Sequence, residues 1–183
     1  MRLFVAVPVP TPLRLALNQS LGPWRSKYPH LKWVESSHYH FTLQFLGDVM
    51  PGQLPALKES LQGLQIKSGF TLETGAAFAM PPGARARVLA LGLRSGVKNL
   101  GELAECVHRV TEPLGFEPER RGFKAHLTLA RVRRGDELLL DPDDIGTPHL
   151  PNLRVDAFHL YESELAAKGP IYRSLLEVRF SDG

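Results

Sequence analysis

Cysteine is nearly absent from this sequence of 183 residues, which contains only Cys106. A single cysteine excludes an intramolecular disulfide and a zinc site built on paired cysteines, and it is typical of proteins from a reducing compartment. No apolar run approaches the roughly 20 residues that a membrane-spanning helix requires. The amino-terminal stretch MRLFVAVPVPTP is too short and too rich in proline for a signal peptide. These absences predict a cytoplasmic protein with no membrane partner.

Neither sign of charge is in large excess, because the formal net charge is only +3. Hydrophobic residues at 43% and charged residues at 22% exclude a disordered chain. No flexible linker divides the sequence, so one domain is expected over residues 1–183. The cations are clustered, at Arg85, Arg87, Arg120, Arg121, Lys124, Arg131, Arg133 and Arg134. These clusters fit either a solvated basic face or a surface that attracts phosphate.

Hydrophobic periodicity predicts a mixture of strands and helices. Strands are expected where apolar residues alternate or β-branched residues dominate, at residues 3–9, 33–34, 40–46, 70–78, 88–93, 125–132, 155–161 and 172–180. Helices are expected from an N-cap at Thr11, over 53–64 and over 95–114, and a loop is expected over 141–152. Because strands and helices intermingle and several strands have antiparallel neighbours, the predicted class is α+β.

A short motif occurs twice in this pattern. His40-Phe41-Thr42-Leu43 and His126-Leu127-Thr128-Leu129 are both His-x-Thr-Leu, and each falls in a predicted strand. With the residue frequencies of this chain, about 0.04 copies of the motif are expected by chance. The repeat is therefore a specific signal.

Strand geometry gives the repeat a chemical meaning. Side chains two residues apart lie on one face of a strand, so each histidine shares its face with the threonine that follows. Strict alternation places the next apolar side chains on the opposite, core-facing side, and these are Phe41, Leu43, Phe45, Leu127 and Leu129. Two such strands side by side would place two imidazoles and two hydroxyls in one groove.

That set of groups suits phosphoryl chemistry. A histidine with a pKa near 6.5 is both an acid and a base close to neutral pH. One neutral and one protonated imidazole can activate a water and protonate a leaving oxygen in the same step, while hydroxyls hold the phosphoryl oxygens. A single histidine in a strand is usually structural, and histidine is also a zinc ligand. No carboxylate or cysteine lies at tight ligand spacing beside either motif, which argues against a metal.

At these residues the sequence resembles the 2H phosphoesterase superfamily, and more closely its RNA 2′,3′-cyclic phosphodiesterases, also called 2′-5′ RNA ligases. The resemblance extends over nearly the whole chain. Its motifs are residues 2–7 (RLFVAV), 33–34 (WV), 40–47 (HFTLQFLG), 123–131 (FKAHLTLAR), 160–165 (LYESEL) and 169–172. There are two departures: Lys124-Ala125 replaces a common proline before the second histidine, and residues 80–84 (MPPGA) replace a more aromatic loop.

The resemblance implies a bilobal fold of two antiparallel sheets with flanking helices, pseudo-twofold symmetry and a groove between the lobes. It implies hydrolysis of an RNA 2′,3′-cyclic phosphate end to a 2′-phosphomonoester, without a metal or any other cofactor. His40 is then the proton donor and His126 the proton acceptor, and Thr42 and Thr128 hold the phosphoryl oxygens. With an RNA 5′-hydroxyl in place of water, the same arrangement would form a 2′-5′ linkage.

Three further residues are candidates for substrate binding: Arg131, Lys124 and Tyr172. Strict alternation places Arg131 on the face of Leu129, so it reaches the phosphate only if the strand ends or bulges there. Lys124 is suited to follow an RNA backbone, and Tyr172 or Trp33 to stack on a base. Surface solubility and core packing are the alternatives for these residues. Phe45 is predicted to pack in the core.

The sequence is compatible with several functions. The favoured partner is an RNA with a 2′,3′-cyclic phosphate end, and no obligate protein partner is indicated. The motifs are equally consistent with an enzyme that acts on 2′-5′ oligoadenylates or small cyclic nucleotides. A non-catalytic RNA-binding module is the alternative from another class, and the presence of both histidines and both threonines argues against it.

Overall fold

The computed structural model describes residues 1–83, 85–117, 122–166 and 169–181. The strands in this part of the chain are β1 (Arg2–Pro8), β2 (Lys32–Trp33), β3 (His40–Asp48), β4 (Phe70–Met80), β5 (Val88–Ser95), β6 (Leu127–Arg131), β7 (Leu153–Val155), β8 (Ala157–Ala166) and β9 (Gly169–Arg179). The α-helices are α1 (Thr11–Lys27), α2 (Leu54–Gln62), α3 (Val97–Thr111) and α4 (Pro142–Ile145), with short 3₁₀ turns at Ser36–His38, Pro51–Gln53 and Glu112–Leu114.

The strands are antiparallel and follow the order β7-β4-β5-β6-β3-β1-β8-β9, with β2 paired to β6. The predicted α+β class with antiparallel strands and flanking helices is therefore confirmed. The two motif strands, β3 and β6, are neighbours at the centre of this order, with four strands counted on each side of their junction. They meet at one backbone pair, Phe41 with Leu127. The two predicted sheets are thus hydrogen-bonded into a continuous one.

One face of this sheet carries the hydrophobic core. On β1, Leu3, Val5 and Val7 belong to the core cluster, together with buried leucines of α1, α2 and α3. The intervening Phe4 and Ala6 point to the opposite face, as the alternation of a strand requires. Burial of each large aliphatic side chain contributes about 1.5–3 kcal/mol, which fixes the helices on this side. The opposite face is left for the site.

Three local predictions are wrong, and they concern the N-cap of α1, the loop over 141–152 and the strand over 155–161. Helix α1 begins at Thr11, and its N-cap is Pro10, whose φ of −71° and ψ of 159° are extended. The Thr11 hydroxyl accepts a hydrogen bond from the Arg14 guanidinium at 2.8 Å instead of capping the helix. The predicted loop over 141–152 contains α4, which Asp141 caps by accepting from the backbone N–H of Asp143 at 3.0 Å. The neighbouring strand is also divided, because β7 pairs with β4 whereas β8 pairs with β1.

None of the described helices has the length and apolar character that crossing a membrane requires.

Candidate active site

The two motif histidines lie at the centre of the sheet, on the face opposite the core. His40 is the first residue of β3, and His126 directly precedes β6. Both are half-buried. The Nδ1 atom of His40 lies 2.7 Å from the carbonyl oxygen of His38, and the Nδ1 atom of His126 lies 2.7 Å from the carbonyl oxygen of Lys124. A carbonyl only accepts, so each Nδ1 carries a proton and each ring is held by the backbone two residues earlier.

The segment that carries the His38 carbonyl is held by hydrogen bonds from helix α1. Tyr39 is buried, and its hydroxyl accepts a hydrogen bond of 2.8 Å from the Arg25 guanidinium of α1. Arg25 also donates to the carbonyl of Val34 at 2.7 Å. Burial is the main cause that raises the pKa of the Tyr39 hydroxyl, so it stays protonated. The 3₁₀ turn before His40 is therefore fixed to the core.

The electrostatic environment of His40 disfavours its charged form. Burial, the largest cause, lowers the pKa of His40 to about 4, and the hydrogen bond to the His38 carbonyl opposes this. Arg131, His38 and His126 lie near enough to lower the pKa further. Without a bound anion, His40 is therefore neutral at pH 7.

The two threonines occupy equivalent positions. Thr42 pairs with Ala6 of β1, and Thr128 pairs with Ala90 of β5. Residues directly opposite in antiparallel strands share a face, so each hydroxyl lies beside a methyl group and not a large side chain. Both threonines are half-buried, whereas both alanines are fully buried. The small neighbours leave room for a group above the hydroxyls.

A β-bulge brings Arg131 to the same face. Ala130 pairs with Leu89 and Thr128 with Ala90, so Leu129 has no residue opposite it on β5. Leu129 and Ala130 are both buried, and alternation resumes with Arg131 on the other side. Arg131 is exposed and close enough to lower the pKa values of His40 and Tyr172. The strict-alternation argument is therefore wrong here, and the bulge supplies the exception under which Arg131 joins the site.

Lys32 is a basic neighbour of Arg131 that the sequence did not indicate. It pairs with Arg131 across β2 and β6, so the two cations share a face. Like charges directly opposite one another destabilise a sheet. Within the described ranges, neither cation forms an ion pair. This pair is suited to an anion, and nothing in the sequence indicated it, because the register between β2 and β6 is fixed only in the fold.

The motif strand β3 has the same irregularity. Val5 pairs with Gln44 and Ala6 with Thr42, which leaves Leu43 unopposed on β1. Leu43 and Gln44 are both buried, and Phe45 returns to the site face with 52% of its surface exposed. The prediction that Phe45 packs in the core is wrong, because the bulge reverses its side.

The bulge also buries the polar side chain of Gln44 behind β3, where it needs hydrogen-bond partners. Buried Gln44 donates to the carbonyl of Phe116 at 3.1 Å and accepts from the Thr111 hydroxyl at 2.7 Å. His108 of α3 lies with Nε2 3.3 Å from the carbonyl of Leu43. A lone histidine in a helix gave no sign of this position.

Tyr172 is half-buried against the site. Its ring centroid lies 5.5 Å from that of His40, 4.6 Å from that of His38 and 5.0 Å from that of Phe4. Burial is the main cause that raises the pKa of its hydroxyl. Trp33 packs instead against the core, and its indole N–H donates to the carbonyl of Tyr28 at 2.9 Å. Of the two aromatic candidates, Tyr172 is the one beside a motif histidine.

The remaining basic candidates are dispersed. Lys124 is exposed, with its ammonium 4.6 Å from the centroid of the Phe78 ring. Arg87 donates to the carbonyl of Asp136 at 3.1 Å. Arg120 and Arg121 lie outside the described residues, as does Ala84 of the loop after β4. Among the described side chains, no group of three or more His, Cys, Asp or Glu is arranged to hold a metal ion.

A cavity of about 420 Å³ opens beside the site, between β3 and the loop after β4. Its walls are largely apolar, and one motif histidine is part of them. The lining residues are Thr42, Leu43, Gln44, Phe45, Met80, Pro81, Pro82, His108, Gly122, Phe123, Lys124 and His126. This volume and composition are typical of a site for a small organic group.

Comparison with known proteins identifies the family of this chain. The family model for LigT-like phosphoesterases matches residues 7–89 and 91–172. An RNA 2′,3′-cyclic phosphodiesterase of Archaeoglobus fulgidus is 33% identical over 96% of this chain and 98% of its own. One from Aeropyrum pernix is 31% identical over 81% and 86%.

The structural comparison identifies the same family as the sequence comparison. The crystal structure of E. coli LigT complexed with 3′-AMP superimposes with a TM-score of 0.82 and 27% identity, covering 99% of this chain and 98% of that one. The resemblance to 2H phosphoesterases drawn from the two motifs is confirmed. The chain belongs to the LigT-like phosphoesterase family.

Proposed function

We propose that this protein hydrolyses the 2′,3′-cyclic phosphate end of RNA to a 2′-phosphomonoester. The observation that carries the proposal is the pair of motif histidines on one face, each held through Nδ1 by the carbonyl two residues earlier. This arrangement directs both Nε2 atoms to proton transfer. Relatives that cover nearly the whole chain bear the name RNA 2′,3′-cyclic phosphodiesterase, which supports the same reaction.

The proposed step moves one proton at each histidine. A water attacks the phosphorus and gives a proton to Nε2 of His126, the P–O3′ bond breaks, and Nε2 of His40 protonates the departing 3′ oxygen. The products are the 2′-phosphomonoester and a 3′-hydroxyl. Because the five-membered cyclic diester is strained, acid–base catalysis by two imidazoles is enough without a metal. Thr42 and Thr128 donate to the non-bridging oxygens, where the negative charge develops.

His40 must gain a proton before it can act as the donor. Its pKa of about 4 makes it neutral without substrate. The phosphodiester anion stabilises the imidazolium and raises the pKa toward neutrality when it binds. Arg131 and Lys32 offset part of the anion's charge, and Arg131 is the one that faces His40 closely enough to affect its pKa. The order of events is therefore anion binding first and proton transfer second.

The substrate nucleoside is proposed to lie on the His40 side. Tyr172 packs against His38 and His40, so a base that stacks on it keeps the 3′ oxygen close to the proton donor. Lys124, which lines the cavity beside His126, then contacts the RNA backbone. Four strands on each side of the β3–β6 junction support a pseudo-twofold relation, with the groove along that junction.

The test uses a short RNA that ends in a 2′,3′-cyclic phosphate, incubated in excess EDTA. The wild-type protein is expected to give the 2′-phosphate alone, and His40→Ala and His126→Ala to form it about 10²–10⁴-fold more slowly. His149→Ala is the matched control, because this histidine is exposed and lies outside the site. Absence of turnover by folded wild type would contradict the proposal. Turnover that EDTA abolishes and zinc restores would revive a metal mechanism.

The same experiment separates the alternatives. If 2′-5′ oligoadenylates or small cyclic nucleotides are cleaved far faster than the RNA, the natural substrate is one of them. If both histidine variants lose RNA binding and the wild type has no turnover, the protein is a binding module. Replacement of water by an RNA 5′-hydroxyl reverses cleavage of a 2′-5′ linkage, so ligation is proposed as the second reaction of this site.

A further inference from the structure

We propose that the carboxyl-terminal end of α1 and strand β2 form a docking surface for the RNA strand upstream of the cyclic phosphate. This α1–β2 surface consists of residues 24–33 (WRSKYPHLKW). The proposal rests on the proposed function, because it assumes a cyclic phosphate at the motif histidines. It goes further by specifying the substrate as an RNA chain several nucleotides long and not a single cyclic nucleotide.

The first argument is charge. No aspartate or glutamate occurs among residues 1–34, whereas the same stretch contains five basic side chains. These are Arg2, Arg14, Arg25, Lys27 and Lys32. Lys27 and Lys32 are exposed, and within the described ranges neither forms an ion pair. Cations that no carboxylate neutralises attract a polyanion.

The second argument is the arrangement of aromatic rings. Both tryptophans of the chain, Trp24 and Trp33, belong to this surface. The Trp24 and Tyr28 rings are half-buried against the core and nearly parallel, with centroids 6.5 Å apart. The Lys27 ammonium lies 5.6 Å from the Trp24 centroid and 5.3 Å from the Tyr28 centroid. Proteins that bind single-stranded nucleic acid combine rings that stack on bases with cations that contact the backbone.

The third argument is continuity with the site. Lys32 pairs with Arg131 across β2 and β6. The Arg131 charge lowers the pKa values of His40 and Tyr172, so it lies close to both. A chain spans at most about 3.6 Å per residue, so the Cα atoms of Lys27 and Lys32 are no more than about 18 Å apart. A strand that leaves the site past the Arg131–Lys32 pair therefore reaches Lys27 within a few nucleotides.

The fourth argument is that the surface is fixed to both motif strands. The backbone N–H of Val34, directly after β2, donates to the carbonyl of Leu129 in β6 at 2.8 Å. Arg25 of α1 donates to the hydroxyl of Tyr39, the residue before β3. The same guanidinium lies 5.8 Å from the centroid of the Trp33 ring. The surface therefore keeps one position relative to the motif histidines, which lowers the ordering cost of binding.

The first experiment uses the two tryptophans as reporters. An RNA octanucleotide that ends in a 2′-phosphate is expected to quench their fluorescence by stacking, whereas adenosine 2′-phosphate, which occupies only the catalytic site, is expected to leave it unchanged. Trp33→Phe is expected to keep the response, and Trp24→Leu, which retains an apolar side chain, to lose it. Equal responses to the two ligands, or no response to either, would overturn the inference. A response to phosphatidylserine vesicles but not to the RNA would assign the surface to a membrane and would also overturn it.

The second experiment compares hydrolysis of an RNA octanucleotide 2′,3′-cyclic phosphate with that of adenosine 2′,3′-cyclic phosphate. The ratio of the two kcat/KM values is expected to fall about tenfold in Lys27→Glu, because a cation beside the stacking rings becomes an anion. Lys67→Glu, at an exposed lysine before β4, is the matched control with the same change of charge, and its ratio is expected to equal that of wild type.

Salt dependence identifies the contact as one to a phosphate. In Lys27→Gln, the slope of log kcat/KM for the octanucleotide against log salt concentration is expected to become about 0.7 less steep. A wild-type ratio near one, an unchanged slope, or equal ratios in Lys27→Glu and Lys67→Glu would overturn the inference. Failure to hydrolyse either substrate would instead contradict the proposed function.

Discussion

Strands β3 and β6 start from the same four-residue pattern but present different side chains beyond it, an aromatic ring on β3 and a cation on β6. In both, the histidine is held by the carbonyl two residues earlier, the threonine lies opposite an alanine, and the leucine after it is the unopposed residue of a bulge. Two residues past the bulge, β3 presents Phe45 and β6 presents Arg131. The repeated part builds two similar acid–base units, and the position after the bulge gives each one its own partner.

The two strands also differ in the residues that pack behind their bulges. β3 is backed by α3, where buried Gln44 requires the Thr111 hydroxyl and the Phe116 carbonyl as partners. The equivalent residue on β6 is Ala130, which requires none. The comparison shows that one backbone irregularity can be stabilised either by a polar network or by a small side chain.

The largest effect is expected from replacing the motif histidines, which both strands share. His40→Ala and His126→Ala are each expected to lower kcat for the cyclic phosphate by about 10²–10⁴-fold, because each removes one proton transfer. The double variant is expected to lose little more than either single variant, since the two residues act as a unit. Steady-state rates of the four proteins measure this. Multiplicative losses in the double variant would show that the strands act independently.

The next largest effect is expected from replacing Arg131, the residue of β6 that corresponds to Phe45 of β3. Arg131→Ala is expected to lower kcat/KM by about 10²-fold, because a cation directed at the phosphoryl group is lost. Arg131→Lys is expected to keep part of the activity, since it retains the charge without the planar fork. Arg133→Ala is the control, being an exposed arginine two residues further along. Equal effects of Arg131→Ala and Arg133→Ala would show that the position of Arg131, which the bulge on β6 sets, does not contribute to catalysis.

The pH dependence of stability tests the environment of His40. Its pKa of about 4 lies below the unfolded value of 6.5, so between these values the unfolded chain binds more protons than the folded one. Stability is therefore expected to fall as the pH is lowered from about 6.5 toward 4. His40→Ala is expected to flatten that part of the curve, as measured by urea unfolding at several pH values.

The same group is accessible to NMR. The imidazole pKa of His40 is expected to rise on addition of a 2′-nucleotide, because the phosphate stabilises the imidazolium. A pKa that stays near 4 in the complex would indicate that His40 accepts the proton and that the two histidines exchange their proposed roles.

The smallest expected effect concerns the polar network behind β3. Gln44→Ala makes the bulge of β3 resemble that of β6, but it leaves the Thr111 hydroxyl and the Phe116 carbonyl without their partner. A loss of about 1–3 kcal/mol in the free energy of unfolding is expected. Denaturant unfolding measures it, with Glu105→Ala on an exposed position of α3 as the control. An unchanged stability would mean that the network contributes nothing.

The sequence was sufficient for the class of the fold and for most of its elements, although α4 and the division between β7 and β8 were missed. His40, Thr42, His126 and Thr128 could be chosen as candidates because their repetition is improbable and period two puts each pair on one face. The family followed from the same residues. Strand periodicity also located the core, since Leu3, Val5 and Val7 alternate with smaller or site-facing residues.

The sequence was insufficient wherever the pairing of neighbouring strands decides the outcome. Phe45 and Arg131 were placed on the wrong side because a bulge depends on which residues of β1 and β5 lie opposite, and alternation within one strand contains no such information. Lys32 and His108 were missed for the same reason. Their places follow from contacts 99 and 65 residues distant in the chain.

The order of strands also affects how the molecule can assemble during synthesis. The half around His126 consists of β4, β5, β6 and β7, which lie between Phe70 and Val155. The half around His40 joins β1 and β3 to β8 and β9, so its central strand pairs with segments made last. Chains fold as their segments leave the ribosome, and pairing across long separations is slow. We therefore expect the His126 half to form first and the acid–base pair to be completed only when the final strand arrives.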